Sequence, residues 1–192
     1  MTTPTAAQVS DQRSETRHQQ HDAHHPDTMR TDRLLLLPLL VEHAGEMAVV
    51  LGDPELHAFI GGAPAHPAGL RARYERLAAG SPDPDVSWCN WVIQLRDEAC
   101  LVGTVQATVS GPADERTAEI AWVVGTPWQG RGIASEAARG LVAWLGRQEV
   151  RTVIAHIHPE HRASAAVATA AGLAPTSIRH EGEIRWVRAA GG

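Results

Sequence analysis

The chain has no lysine among its 192 residues, so all 17 of its basic side chains are arginine. A nucleotide-binding P-loop needs lysine, followed by serine or threonine, after its second glycine. The absence of lysine excludes that motif, although residues 125–132 have a similar glycine spacing. The 22 acidic residues give a formal net charge of −5. This balance disfavours a nucleic-acid partner and favours a cationic substrate.

Cysteine and long apolar segments are also scarce. Cys89 and Cys100 have neither the spacing of a metal site nor that of a redox pair, so we expect two reduced thiols. No apolar run reaches membrane-spanning length, and no signal peptide opens the chain. We therefore expect a cytoplasmic protein that does not bind membranes. Its length and its apolar content of 43% are sufficient for one folded domain.

The first 28 residues differ in composition from the rest of the chain. They are mainly threonine, glutamine, histidine, aspartate and serine, with almost no large apolar side chain. Such a composition predicts a disordered tail at 1–28, followed by one domain at 29–192. The tail histidines at 18, 21, 24 and 25 are metal-ligand types, but a disordered segment does not fix ligand geometry, so we expect no metal.

Apolar periodicity and turn residues divide the rest of the chain into alternating elements. Strands are predicted at 34–37, 88–94, 101–109, 117–124 and 152–157, and one or two more at 177–188. Helices are predicted at 43–51, 67–79, 133–147 and 163–171, with a short apolar turn or helix at 56–62. Strands first, followed by alternating helices and strands, indicate an α+β fold.

The most informative segment joins the strand at 117–124 to the helix at 133–147. Its loop contains Gly130 and Gly132, which allow the backbone to approach a ligand closely. The N–H groups of the first helical turn and the helix dipole suit a phosphate or pyrophosphate. A dinucleotide-binding fingerprint would need a third glycine at 135, where the chain has Ser135.

The pattern Gln129-x-x-Gly132-x-Ala134 resembles the Gln/Arg-x-x-Gly-x-Gly/Ala signature of the GCN5-related N-acetyltransferases (GNAT), whose loop binds the pyrophosphate of acetyl-CoA. The opening Thr31-Asp-Arg-Leu-Leu-Leu-Leu-Pro-Leu resembles that of the RimJ/RimL-type branch, as do residues 158–173. The resemblance implies a mixed, mostly antiparallel sheet of six to seven strands with about four helices. It also implies acetyl-CoA as co-substrate and direct attack by a primary amine in a ternary complex.

The resemblance also implies which residues contact acetyl-CoA. In this fold the strand before the loop splays from its neighbour, so backbone N–H groups near Val123 and Val124 are expected to face the thioester. Arg131 is expected to contribute its backbone amide. His161 stands where the branch usually has asparagine. The expected cofactor-binding residues are Trp122, Val123, Val124, Gln129, Gly130, Arg131, Gly132, Ile133, Ala134, Ser135, His161 and Ser164.

Glu119 and Ser164 are the expected catalytic residues. Glu119 lies where the family has a glutamate that takes a proton from the amine through water; the alternative is a solvent-facing carboxylate. Ser164 is expected to hydrogen-bond or protonate the departing sulfur, because the usual tyrosine is replaced by Ala168. The alternative for Ser164 is a helix N-cap. A metal site at histidines 156, 158 and 161 is disfavoured, because Pro159 lies within their turn.

Three functions remain open from the sequence. The first is an acetyl-CoA-dependent N-acetyltransferase acting on a protein or peptide N-terminus or on a small-molecule amine. The second is an enzyme of the same fold that uses another acyl group, such as succinyl. The third is a non-catalytic sensor that binds acyl-CoA. The sequence leaves open the identity of the acceptor and whether the protein is a monomer or a homodimer.

Overall fold

The structure, a computed structural model, describes residues 26–57, 62–64 and 66–189. Its strands are β1 (Met29–Arg30), β2 (Leu34–Pro38), β3 (Val86–Leu95), β4 (Leu101–Ser110), β5 (Thr117–Val124), β6 (Thr152–Ile157), β7 (Ala174–His180) and β8 (Glu183–Ala189). Its α-helices are α1 (Ala44–Val50), α2 (Pro67–Ala78), α3 (Ile133–Arg147) and α4 (Arg162–Ala170). Short 3-10 helices lie at Val41–His43, Pro54–Leu56 and Thr126–Trp128. The predicted turn at 56–62 falls largely outside the described residues.

The described strands form one mixed sheet in the order β1-β2-β3-β4-β5-β6-β8-β7. Every neighbouring pair is antiparallel except β5 and β6, which are parallel. The predicted α+β class is confirmed, but the sheet has eight strands rather than six or seven. The strand missed by the sequence is β1, because two residues are too few to show an alternating pattern.

Helices pack on both faces of the sheet. Alternate residues of β3 face opposite sides: Trp91 and Ile93 pack with α3, whereas Val92 packs with α1 and α2. Trp91 meets Trp144 of α3 edge to face, with ring centroids 5.0 Å apart. Burial raises the pKa of the Cys89 thiol to about 12, so this thiol stays protonated at neutral pH. No described helix is long and apolar enough to cross a membrane.

The core extends N-terminally beyond the predicted domain start at Met29. The indole N–H of the fully buried Trp91 donates to the backbone carbonyl of Asp27 over 2.9 Å. Asp27 therefore contributes an acceptor that the buried indole needs. Most of the predicted disordered tail, residues 1–25, lies outside the described residues, so its disorder stays a prediction.

Two truncated variants test the contribution of Asp27. A chain that starts at Met29 is expected to be less stable than one that starts at Pro26 by about 1–3 kcal/mol, because the buried indole N–H loses its acceptor. Urea unfolding, monitored by tryptophan fluorescence, measures the difference in unfolding free energy. Both variants lack residues 1–25, so they differ only in residues 26–28. Equal unfolding free energies would show that water or another group satisfies Trp91.

Candidate active site

A gap opens between β5 and β6 halfway along β5. The two strands pair only from Thr117–Glu119 to Thr152–Ile154, whereas β5 remains paired with β4 up to Val124. Over the same stretch, β6 stays paired with β8. The divergence opens a cavity of about 510 Å³, which extends between β5, β6 and the N-terminal ends of α3 and α4. This splayed pair is the geometry that the family resemblance predicted.

The direction of the β5 amides determines which of them face this gap. The N–H of Gly125 donates to the Val102 carbonyl on β4 over 2.9 Å. Because strand residues alternate, Val123 also directs its polar backbone groups toward β4, and Trp122 and Val124 direct theirs toward the gap. The Val124 amide thus faces the gap, and its contact with a thioester stays a prediction. For Val123 the amide belongs to the β4 side, although its side chain lines the cavity.

Gly103 permits the close approach of β4 and β5 at this point. A Cβ atom at position 103 would collide with the carbonyl oxygen of Val123. On the gap side, the Val124 carbonyl accepts a hydrogen bond from the Gln129 side-chain amide over 3.0 Å. Gln129 therefore ties the loop to the end of β5, and it also lines the cavity.

The loop between β5 and α3 has the backbone geometry of an anion site. Gly130 and Gly132 have φ angles of 71° and 76°, in the left-handed region that favours glycine. Gly132 is the N-cap of α3, and no side chain caps the helix. The first-turn amides, which have no partner within an α-helix, are therefore available to a ligand. The cavity lining here comprises Gly130, Gly132, Ile133, Ala134 and Ser135.

Arg131 makes its contacts away from the cavity. Its guanidinium lies 3.2 Å from the carboxylate of Glu98, and both side chains are about half exposed. Its backbone carbonyl accepts a hydrogen bond from Arg33 over 3.0 Å. The side chain thus helps to fix the loop, and a contribution of the Arg131 backbone amide to a ligand stays a prediction.

A buried carboxylate, that of Glu136, lies behind the loop and was not predicted from the sequence. Glu136 of α3 is 7% exposed and accepts hydrogen bonds from the Thr31 hydroxyl (2.6 Å), the Arg33 amide (2.8 Å) and the Arg33 guanidinium (2.7 Å). Because Arg33 also donates to the Arg131 carbonyl, these residues join the N-terminal strands to the loop. The one indication of this buried carboxylate in the sequence was a charged residue beside the apolar stripe of α3.

Hydrogen bonding sets the ionisation of Glu136. Burial by itself would raise the pKa of this carboxyl group, but the three donors from Thr31 and Arg33 outweigh it and hold the pKa below the ordinary 4.5. Glu136 is therefore ionised at neutral pH, and the charge of Arg33 is balanced beside the loop.

His161 and Ser164 lie together at the start of α4 and both line the cavity. The N-cap of α4 is His161, whose Nδ1 accepts from the Ser164 amide over 3.1 Å. Ser164 is thus inside the first turn, and the alternative role of N-cap considered for it is wrong. Burial, with a smaller contribution from nearby His158, lowers the pKa of His161 below 6.5. The ring is neutral at pH 7 and carries its proton on Nε2.

This tautomer orients the Ser164 hydroxyl. His161 Nε2 lies 3.4 Å from Ser164 Oγ, so its N–H points at the oxygen as donor. The Ser164 hydrogen is then available to a group in the cavity. Ala168, at the position of the usual family tyrosine, is fully buried and does not reach the cavity lining. Ser164 lines the cavity, and its predicted role as donor to a departing sulfur stays a prediction.

Glu119 has a partner that the sequence did not reveal. His156 of β6 lies with Nδ1 2.9 Å from the Glu119 carboxylate. The parallel register places Glu119 opposite Ile154, so His156 follows two residues later on the same face. His156 lines the cavity, whereas Glu119 does not line it and its side chain is about half exposed. The 37 positions that separate them conceal this pair in the sequence.

The three histidines considered as metal ligands have separate roles. His156 contacts Glu119, His158 Nδ1 accepts from the Glu160 amide over 3.2 Å, and His161 caps α4. Within the part of the chain that the structure describes, no three histidine, cysteine, aspartate or glutamate residues converge as a metal site.

Comparison with known proteins identifies the family. The sequence profile of the acetyltransferase (GNAT) domain matches residues 33–174. No curated protein matches the chain. Many solved structures share its fold.

Three of these structures illustrate the likeness. A GNAT-family acetyltransferase from Bacillus anthracis is 19% identical, with a TM-score of 0.71 over 85% of this chain and 98% of that one. RimL, the ribosomal L7/L12 α-N-protein acetyltransferase in complex with coenzyme A, is 15% identical (TM-score 0.69; 85% and 98% covered). AAC(6')-Ib, with an aminoglycoside and acetyl-CoA, is 18% identical (TM-score 0.69; 83% and 94% covered). The chain belongs to the GNAT family and is an enzyme of the acyltransferase class.

Proposed function

We propose that the enzyme transfers the acetyl group of acetyl-CoA to a primary amine by direct attack in a ternary complex, and that it belongs to the RimJ/RimL-like branch. The observation that carries this proposal is the single cavity that extends from the Gly130–Gly132 loop to His156. The loop glycines line this cavity together with His156, whose imidazole contacts the carboxylate of Glu119. Solved relatives in complex with acetyl-CoA or coenzyme A add support for the cofactor.

In this proposal, backbone amides bind most of the cofactor. The pyrophosphate accepts hydrogen bonds from the amides of residues 130–135, favoured by the dipole of α3. The pantetheine arm lies between β5 and β6, where the amides of Trp122 and Val124 donate to its amide oxygens and to the thioester carbonyl. The amide that donates to the thioester carbonyl stabilises the negative charge that develops on the carbonyl oxygen when the amine attacks. Ser164 donates to the sulfur as it departs.

The acceptor is a cationic amine in this proposal. Glu183 lines the cavity, Glu119 contacts the cavity residue His156, and the chain as a whole has a formal charge of −5. Negative charge attracts an ammonium group, which must lose a proton before it attacks. The named acceptors of the relatives include a ribosomal protein N-terminus and aminoglycosides. Both classes remain candidates.

A thiol-release assay over a panel of amines tests the function. The panel contains short peptides with free N-termini, aminoglycosides and polyamines, each with acetyl-CoA or succinyl-CoA as donor. We expect acetyl-CoA to support turnover with at least one class of amine. Turnover with succinyl-CoA alone would identify another acyl donor. Thermal stabilisation by acetyl-CoA without turnover on any amine would identify a sensor and overturn the proposal.

A further inference from the structure

Glu119 and His156 lie on neighbouring parallel strands where those strands begin to diverge. Glu119 belongs to the last residue pair between β5 and β6, and His156 follows just beyond it. Their side chains meet at 2.9 Å, between Oε1 and Nδ1. A hydrogen bond to an ionised carboxylate is among the strongest of its kind, so it fixes the orientation of the imidazole.

His156 and Glu119 differ in their position relative to the cavity. The His156 side chain is 15% exposed and lines the cavity, whereas the Glu119 side chain is 52% exposed and does not line it. Of the two residues, His156 is therefore the one that a substrate in the cavity can reach. Because Glu119 accepts from Nδ1–H, the ring proton is held on Nδ1 and the lone pair on Nε2 is available. A carboxylate that orients an imidazole in this way is a recurrent arrangement for proton acceptance.

Other charged groups surround His156. Arg185 of β8 lies opposite it in the sheet, and the ring of His180 on β7 is 5.2 Å away, centroid to centroid. Glu183 faces His180 across the β7–β8 pair and lines the cavity, as does His158 further along the chain. Among these groups, Glu119 is the carboxylate in direct contact with the imidazole of His156.

We infer that His156 is the catalytic base and that Glu119 is its positioning residue. Nε2 of His156 takes one proton from the ammonium of the acceptor, directly or through water. The freed nitrogen lone pair forms the N–C bond to the thioester carbonyl, and the C–S bond breaks. The second proton of the amine passes to the sulfur, giving the amide and the free thiol. The imidazolium, balanced by Glu119, then releases its proton to solvent. This inference rests on the proposed function.

Replacing His156 with asparagine tests the base directly. The asparagine amide can still donate to Glu119, but it has no basic nitrogen, so kcat/KM near pH 7 is expected to fall by about a hundredfold. Higher pH should partly rescue the variant, because more of the amine is then neutral. The thermal shift given by acetyl-CoA should not change. The control is His180→Asn, which alters the neighbouring ring outside the cavity lining and should change kcat/KM less than about threefold.

Replacing Glu119 with glutamine separates positioning from proton acceptance. The amide oxygen can still accept from Nδ1–H, but the negative charge is lost, so the imidazolium that forms on proton acceptance is less stable. The acid limb of the kcat/KM profile should therefore move to lower pH, with a loss of about tenfold near pH 7, less than removing the base itself. The double variant that combines Glu119→Gln with His156→Asn should have a kcat/KM no lower than that of His156→Asn alone, because the two residues act as one unit.

The outcomes distinguish the inference from the function on which it rests. If the unaltered enzyme acetylates an amine and His156→Asn keeps more than a third of its kcat/KM, the inference is overturned and the function stands. The inference also fails if Glu119→Gln removes the acid limb altogether and loses as much activity as His156→Asn, since Glu119 would then be the base. If the unaltered enzyme acetylates nothing, the proposed function and the inference fail together.

Discussion

Replacing Gly132 with valine is expected to abolish the stabilisation of the enzyme by acetyl-CoA. Gly132 has a φ of 76°, where a β-branched residue is strained by at least about 1–2 kcal/mol. Valine therefore forces the loop to change conformation, and the amides of the first α3 turn no longer converge. Loss of one or two hydrogen bonds to a charged group corresponds to an affinity loss of about a hundredfold.

Differential scanning fluorimetry measures this effect. At a concentration of one hundred times the Kd, acetyl-CoA stabilises the unaltered protein by about 2.7 kcal/mol, a shift in Tm of about 5–10 °C. A hundredfold weaker Kd leaves only about 0.4 kcal/mol at the same concentration, a shift of about 1 °C.

Gly146→Val is the matched control for this experiment. Gly146 also lies in α3, where an added Cβ meets nothing within 4 Å and the backbone needs no positive φ. The Gly146→Val variant should keep the full Tm shift given by acetyl-CoA, measured from the Tm of the same variant without acetyl-CoA. If Gly132→Val also keeps the full shift, the loop does not bind the pyrophosphate.

Replacing Glu136 with alanine is expected to lower the stability of the folded protein strongly. It removes the shared acceptor of Thr31 and Arg33, and it leaves polar groups beside the core without a partner. Arg33 is half exposed and can turn to solvent, so we expect a loss of about 2–3 kcal/mol, below the usual value for a fully buried pair. The Tm should fall by about 5–10 °C. Because Arg33 holds the Arg131 carbonyl, acetyl-CoA affinity should also decrease.

Glu75→Ala provides the comparison for Glu136→Ala. Glu75 also lies in a helix and pairs with an arginine, Arg71, but both side chains are more than half exposed. Its loss should cost less than about 0.5 kcal/mol. Similar losses in both variants would show that the contacts of Glu136 with Thr31 and Arg33 do not stabilise the folded protein.

The contribution of Glu136 should depend on pH in a defined direction. Its pKa in the folded protein lies below the ordinary 4.5, so its stabilisation is fully present above that value and is lost as the pH falls through the folded pKa. The difference in unfolding free energy between the unaltered protein and Glu136→Ala should therefore shrink between about pH 5 and about pH 3. A constant difference over this range would contradict the assignment.

The sequence predicted best where a single element carries its own pattern. The bounds of α3 and β6 were predicted at 133–147 and 152–157, because a regular apolar stripe and a short apolar run are local signals. The start of β7 was placed three residues late, because nearly all of that strand is exposed and shows no alternation. Gly130 and Gly132 were recognised as loop residues because the need for a left-handed backbone is also a local property of the sequence.

The contacts that organise the site were not visible in the sequence, because they join distant segments. Arg33 and Glu136 are separated by 103 positions, and their meeting depends on how α3 packs over β1 and β2. The Glu119–His156 pair depends on the register of the one parallel strand pair. Neither a packing angle nor a parallel register leaves a pattern within one segment.

The most direct test of the proposed function follows the acetyl group itself. Acetyl-CoA labelled in the acetyl carbons is incubated with the enzyme and with each amine of the panel, and free thiol and labelled product are measured together. The proposal predicts one labelled acetyl group on the amine for each thiol released, and a much lower rate for Gly132→Val at the same acetyl-CoA concentration. Thiol release with the label recovered as free acetate, or no transfer to any amine despite saturation with acetyl-CoA, would contradict it.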